Sequence, residues 1–264
     1  MLELVKNFSG EMSNIKFVNL LFLLSKKQDL PSYNFVPYKY GCYSFLAEQD
    51  ISVLKKYGYL EDSENVKLKL QKESISVDDE SLNLIKNVKY EFGKLSNNEI
   101  INYVYNKYPF YALNSMIRDR HIPESMVNDY KDDGKKVVYS IGYEGKDIDM
   151  YLNQLVKHNV KLLCDVRRNP LSMKFGFSKN QLKGYCEKLG IEYLHFPEFG
   201  IESAKRKNLN DTEDYDKLFA GYVKDVLPLR KPEIEKLIHF LQGKMNPEKM
   251  IECIDLQLYR NNGK

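Results

Sequence analysis

Apolar residues recur at helical spacing at Ile15, Val18, Leu21, Phe22 and Leu24, with Ser13 and Asn14 ahead of them as N-cap candidates. Apolar positions nearly surround this helix, which predicts a place at the centre of a small domain. Tyr33 to Tyr40 alternates aromatic and polar residues around Pro37, so an extended segment is expected, ended by Gly41. Phe45 to Tyr57 reads as a helix with Ile51, Leu54 and Tyr57 on one side. Alternation over residues 58–63 and Val66–Leu70 predicts a hairpin. Helices followed by a two-stranded hairpin are the order of a winged helix-turn-helix. Leu82, Ile85, Val88 and Phe92, then Ile100, Ile101 and Val104, add two amphipathic helices.

The pattern lapses over residues 118–135, which are polar and hold Pro123, Asp132, Asp133 and Gly134. A boundary is expected there: a winged-helix-like domain at 1–119, a linker at 120–135 and a second domain at 136–264. Beyond it, strands and helices alternate. Strands are predicted at Val137–Ile141, Val160–Val166, Ile191–Phe196 and Met250–Ile254. Helices are predicted at 148–157, from Ser178 to Leu189, near 213–225 and near 232–242. That alternation predicts an α/β fold with a mostly parallel, helix-covered sheet. The first two strands, with helix 148–157 between them, form a βαβ unit, whose site belongs at the carboxyl ends of its strands.

The polar residues at those ends are the candidates for chemistry. Asp165, Arg167 and Arg168 follow one strand, and either orient a ligand or pair with one another. From Val166 to Cys186 there are five bases (Arg167, Arg168, Lys174, Lys179 and Lys183) and no acid, with Ser178 at a helix start. Bases beside a helix N-terminus suit a phosphate or another anion, although such a run also suits a solvated face. Arg167, Arg168, Lys174, Ser178 and Lys179 are therefore the anion-binding candidates. Glu144, in Gly142-Tyr-Glu-Gly145, is placed to share the crevice with Asp165 and to hold magnesium or a proton with it. The turn itself matches neither phosphate-loop fingerprint. His195 and Glu198 flank Pro197 at the end of the third strand, as a general acid–base candidate and a solvent-facing carboxylate. Glu144, Asp165, His195 and Glu198 are thus the catalytic candidates.

Composition narrows this picture only a little. Of the net charge of +3, residues 1–119 contribute nothing, with fifteen Lys and Arg against fifteen Asp and Glu. A basic surface must therefore be local. Cys42, Cys164, Cys186 and Cys253 show no metal-ligand spacing and read as reduced thiols of a cytoplasmic protein, so no cysteine-ligated metal site is expected. The longest apolar run, Leu20 to Leu24, is too short to span a bilayer.

Four blocks resemble the DUF488 family: Tyr139-Ser-Ile-Gly-Tyr-Glu-Gly145, Asp165-Val-Arg-Arg-Asn-Pro170, Gly176-Phe-Ser-Lys179 and residues 190–200. The block at 33–45 resembles the leader domain of longer members, and also the DUF4065 (Panacea-type) domain. The resemblance implies an α/β domain over roughly 137–254 and names no reaction or cofactor. It also implies a Cys-His-Arg segment after the last strand. Residues 254–264 contain none, so a truncated or degenerate copy is expected. Asp-Val-Arg after a strand also echoes rhodanese-like domains, but no cysteine is placed for sulfur transfer. The expectation is an α/β domain that binds a phosphate-bearing small molecule, catalytic or not, joined to a module recruiting DNA, another nucleic acid or a protein. The alternatives are a non-catalytic regulator with a degenerate site and a scaffold that homodimerises through its first domain.

Overall fold

The computed structural model describes residues 1–69, 77–130, 137–202, 205 and 211–240. Cα packing divides the chain into two units, one of residues 1–132 with 147–159 and the other of 133–146 with 160–264.

The first unit is mainly helical. Its elements are α1 (Leu2–Asn7), β1 (Glu11–Met12), α2 (Asn14–Ser25), β2 (Val36–Tyr38), β3 (Gly41–Tyr43), α3 (Phe45–Lys56), β4 (Val66–Lys67), α4 (Asp79–Phe92), α5 (Asn97–Lys107) and α6 (Ile148–Lys157). Ser13 caps α2 by accepting from Lys16 N, and the helix is buried from Leu20 to Ser25. Its Asn19 stays inside because Nδ2 donates to Ile15 O. The segment expected to end at Gly41 instead turns at residues 39–40, and β2 pairs antiparallel with β3, which Gly41 opens. Gly41 sits at φ +110, and a Cβ would lie 2.8 Å from the Tyr105 ring, so only glycine makes this turn so close to α5. The predicted hairpin is present as an antiparallel bridge between Leu60 and Leu68, and β4 pairs with β1. Leu70 lies outside the described residues.

Helix α6 takes its packing partners, β2 and α3, from the first unit. Ile148, Tyr151, Leu152 and Leu155 are buried, as their spacing predicts. The polar anchor is Asp149, which is fully buried. Its carboxylate accepts from Phe45 N (2.8 Å), Leu46 N (3.0 Å) and the Ser44 hydroxyl (2.8 Å), while Ser44 Oγ accepts from Ala47 N. Together they satisfy the first three N–H groups of α3, which the helix cannot satisfy itself.

The second unit holds β5 (Leu162–Asp165), α7 (Lys179–Lys188), β6 (Glu192–His195), α8 (Thr212–Gly221) and α9 (Lys231–Phe240). Strands β5 and β6 pair in parallel, with Asp165 opposite His195, so β5–α7–β6 is a βαβ unit. Side chains alternate across this sheet. Cys164, Val166, Leu194 and Phe196 join the core built with Phe219 and Tyr222, then Leu227, Ile234 and Leu237. On the opposite parity lie Leu163, Asp165, Tyr193 and His195, with α7 packed on β6.

Two expectations change. Residues 137–143 form no strand, and Val137 and Tyr139 are 55% and 50% exposed, where a central strand would bury them. The βαβ unit expected from 137 to 166 is accordingly not formed. Among the described residues the parallel sheet has two strands; the strand expected at Met250–Ile254 lies outside them, as does Cys253. The fold is mixed α/β.

Asp149 yields a stability prediction. Burial raises its pKa from 3.8 to about 7, against the opposing pull of the Leu46 and Phe45 amides and the Ser44 hydroxyl. Between those values the folded chain holds a proton that the unfolded chain has released. This contribution therefore falls as pH rises through the window, by up to about 1.4 kcal/mol per unit. In urea titrations from acid to neutral pH, Asp149→Asn removes that slope. Asp149→Ala lowers stability by about 2 kcal/mol through the lost caps.

Candidate functional site

The described polar chemistry of the second unit centres on the carboxyl ends of β5 and β6. Asp165 is buried, and an ionised carboxylate can stay there only if its oxygens are matched. Arg167 folds back over it: Nε donates to Oδ1 at 2.8 Å, Nη2 to Oδ2 at 2.6 Å, and the Arg167 backbone N–H to Oδ1 at 3.0 Å. The Tyr193 hydroxyl from β6 donates to Oδ2 as well. Burial pushes the Asp165 carboxyl up, but the bonds from Arg167 and Tyr193 outweigh it and hold the pKa below the usual carboxylate range. Burial likewise lowers the Arg167 pKa, and the Asp165 bond and charge more than reverse it. The Tyr193 phenol is raised by burial and by Asp165.

Arg167 also clamps the loop that follows. Nη1 donates to Phe177 O at 2.8 Å, and the guanidinium lies 5.4 Å from the Tyr143 ring centroid. Tyr143 in turn stacks on Phe177 with centroids 4.8 Å apart. Lys174 reaches back to Tyr143 O at 3.2 Å and sits 5.6 Å from the Phe177 centroid. His195 is held at both nitrogens, 2.9 Å from Lys179 Nζ and 2.8 Å from Arg167 O. An ammonium can only donate and a carbonyl only accept. The partners therefore assign the tautomer, with Nδ1 accepting and Nε2–H donating.

Ser178 occupies the N-cap position of α7 but makes no side-chain cap; its hydroxyl exchanges bonds with Ser172 O (3.0 Å) and Ser172 N (3.3 Å). The start of α7 thus lies beside Lys179 and a loop fixed by Arg167 and Lys174.

The other candidates stand apart. Arg168 points to a different cleft and pairs with Glu202 at 3.5 Å. Glu144 is exposed and Glu198 half-buried, and neither has a hydrogen bond or ion pair among the described residues. Asp165, Arg167, Lys174, Ser178, Lys179 and His195 come together; Arg168, Glu144 and Glu198 are not tied into that network. Sequence reasoning missed Tyr193, Tyr143 and Phe177. The signal for Tyr193 was its parity with His195 on one strand.

Residues 147–246 match the family described as Domain of unknown function DUF488. The chain carries a DUF488 domain. The DUF488 match begins at Asp147 and so takes in α6 as well as the whole β5–α7–β6 unit. No curated protein and no solved structure matches the chain. Burial pushes the thiols Cys164 and Cys186 of the DUF488 domain up to about 12, so neither is a thiolate near neutral pH. Among the described residues, no three His, Cys, Asp or Glu side chains gather as a metal site, and no helix is long and apolar enough to cross a membrane.

The clasp itself is testable. Asp165 is nearly inaccessible and Arg167 mostly covered, so removing one partner strands the other's charge. Arg167→Ala is expected to lower unfolding stability by about 3–5 kcal/mol, whereas replacing both residues with apolar ones of similar volume costs less. Chemical denaturation of the single and double variants measures the difference.

Proposed function

We propose that the DUF488 domain binds a phosphate-bearing ligand at the start of α7. The observation that carries this reading is the acid-free segment 166–186, which brings Arg167, Lys174 and Lys179 around a helix start that Ser178 leaves uncapped. Helix N-termini favour anions through their unmatched N–H groups and their dipole; at α7 the first N–H, of Lys179, already donates to Pro170 O. Three of the five Arg167 N–H donors are used on Asp165 and Phe177, which leaves two for a ligand oxygen.

The reading favours binding over turnover. Asp165 has both oxygens engaged and His195 both nitrogens, so the two strongest acid–base candidates serve to fix Arg167 and Lys179. Glu144 and Glu198 remain as catalytic candidates only if a ligand draws them in. In this reading the mainly helical first unit is a winged-helix-like recruitment domain for nucleic acid or a protein partner, in a cytoplasmic regulator.

Thermal melts with and without adenosine diphosphate test the ligand site. At about one hundred times Kd the ligand contributes about 2.7 kcal/mol, a rise of about 5–10 °C in Tm for a chain of this size. The rise is expected to vanish in Lys174→Ala/Lys179→Ala, whose side chains are exposed. A shift that survives this double change defeats the assignment, as does no shift with any nucleotide or inorganic phosphate.

A further inference from the structure

A separate cleft in the second unit, of about 290 Å³, is lined by four cations, Arg168, Lys205, Lys217 and Arg230, against two carboxylates, Glu202 and Asp225. None of its lining residues belongs to the Asp165–Arg167–His195 network. Its size lies at the lower end of the range for small-molecule sites.

Three features mark it as built rather than incidental. First, Arg230 Nε is buried with no hydrogen-bond partner among the described residues. Buried donors in native proteins are almost always matched, so the Arg230 guanidinium, which has no partner at Nε among the described residues, is not committed to an internal carboxylate there, and its residue lines the cleft. Second, one wall is a π-helical turn, Tyr222–Val226, inserted between α8 and a 3₁₀ turn at Leu227–Arg230. Such turns are rare and concentrate at functional sites. This one is pinned by the Tyr222 hydroxyl, which donates to Phe199 O at 2.6 Å. Third, the lining at Gly200 admits no side chain, because a Cβ there would lie 2.2 Å from Arg168 N. The backbone of 200–202 is thereby pressed against the strand end, which fixes Arg168 beside the cleft.

The charges specify the occupant. Two guanidiniums and two ammoniums exceed the two carboxylates, and guanidinium forks match phosphate oxygens in pairs. Arg168 is held only loosely by Glu202 at 3.5 Å, and Lys217 pairs with the exposed Glu213 at 2.7 Å, so both can exchange partners. Glu202 and Asp225 can only accept when ionised, and hydroxyl groups are the donors they would take. We infer that this cleft binds a small phosphorylated polyol of sugar-phosphate size, with phosphate on Arg230 and Arg168 and hydroxyls on Glu202 and Asp225. The inference stands independently of the α7 site, since the two share no side chain.

Isothermal titration of the full chain with ribose 5-phosphate tests it, run with the α7 site removed by Lys174→Ala/Lys179→Ala. One-site binding is expected, weakened at least tenfold by Arg230→Gln (about 1.4 kcal/mol per factor of ten) and also weakened by Lys217→Glu. The latter replaces an exposed side chain and keeps the test valid if Arg230→Gln fails to fold. No binding at millimolar ribose 5-phosphate would overturn the inference, as would affinity indifferent to Arg230→Gln and Lys217→Glu. Inorganic phosphate binding as tightly would remove the role given to the carboxylates and overturn the polyol assignment. Loss of binding in Lys174→Ala/Lys179→Ala alone would place the phosphate at α7 instead.

Discussion

A carboxylate sealed inside a protein must be answered by donors, and in the second unit most of the local geometry answers Asp165. Arg167 must reverse onto it, which sets the path of the chain leaving β5. Tyr193 must present its hydroxyl from β6, which is consistent only with the register that sets Leu163 opposite Tyr193 and Asp165 opposite His195. A slip of one residue would carry Tyr193 to the other face and leave Oδ2 short of a donor. The same guanidinium then holds Phe177 O and stacks on Tyr143, so the loop before α7 and the turn at 142–145 are positioned by one ion pair.

The first unit uses a buried carboxylate for a different end. Asp149 meets only neutral donors, two amides and a hydroxyl, and burial wins: its pKa rises, where that of Asp165 falls. The difference is the presence of a full positive charge within bonding distance. Asp149 joins the start of α6 to the start of α3, two helices more than a hundred residues apart in the chain. This explains why packing and family boundaries disagree around Asp147. The family match follows the sequence, whereas the packing follows the apolar face of α6 and its one buried acid.

Much of this was legible in the sequence where the signal is local. The helices at 14–25, 45–56 and 148–157 follow from apolar spacing, that at 179–188 is placed from Ser178 although its hydroxyl turns to Ser172 instead of capping, and the two parallel strands follow from short apolar runs ended by polar loops. What periodicity does not carry is the partner. The spacing of Ile148, Leu152 and Leu155 identifies a buried face but not the surface that buries it. Val137–Ile141 has strand composition, yet a strand also needs a neighbour to bond, and no ladder reaches it among the described residues. Gly41 read as a terminator because its approach to Tyr105 is tertiary. In the candidate site, the sequence named Asp165 and both arginines but left open whether they meet a ligand or one another. Only the distances separate those uses.

Arg167 and Arg168 diverge where the chain leaves β5 and turns back on Asp165 through the Arg167 N–H. Asp165 and Arg167 share the parity of Tyr193 and His195, whereas Arg168 shares that of Cys164 and Val166, whose face is packed by α8, the π-helical turn and α9. The two adjacent guanidiniums serve different surroundings, Arg167 on Asp165 and Arg168 in the second cleft. One is drawn onto a buried acid, where its charge is largely neutralised. The other emerges beside Arg230 with a distant carboxylate for a partner. Of this pair, Arg168 retains the more charge to offer a ligand.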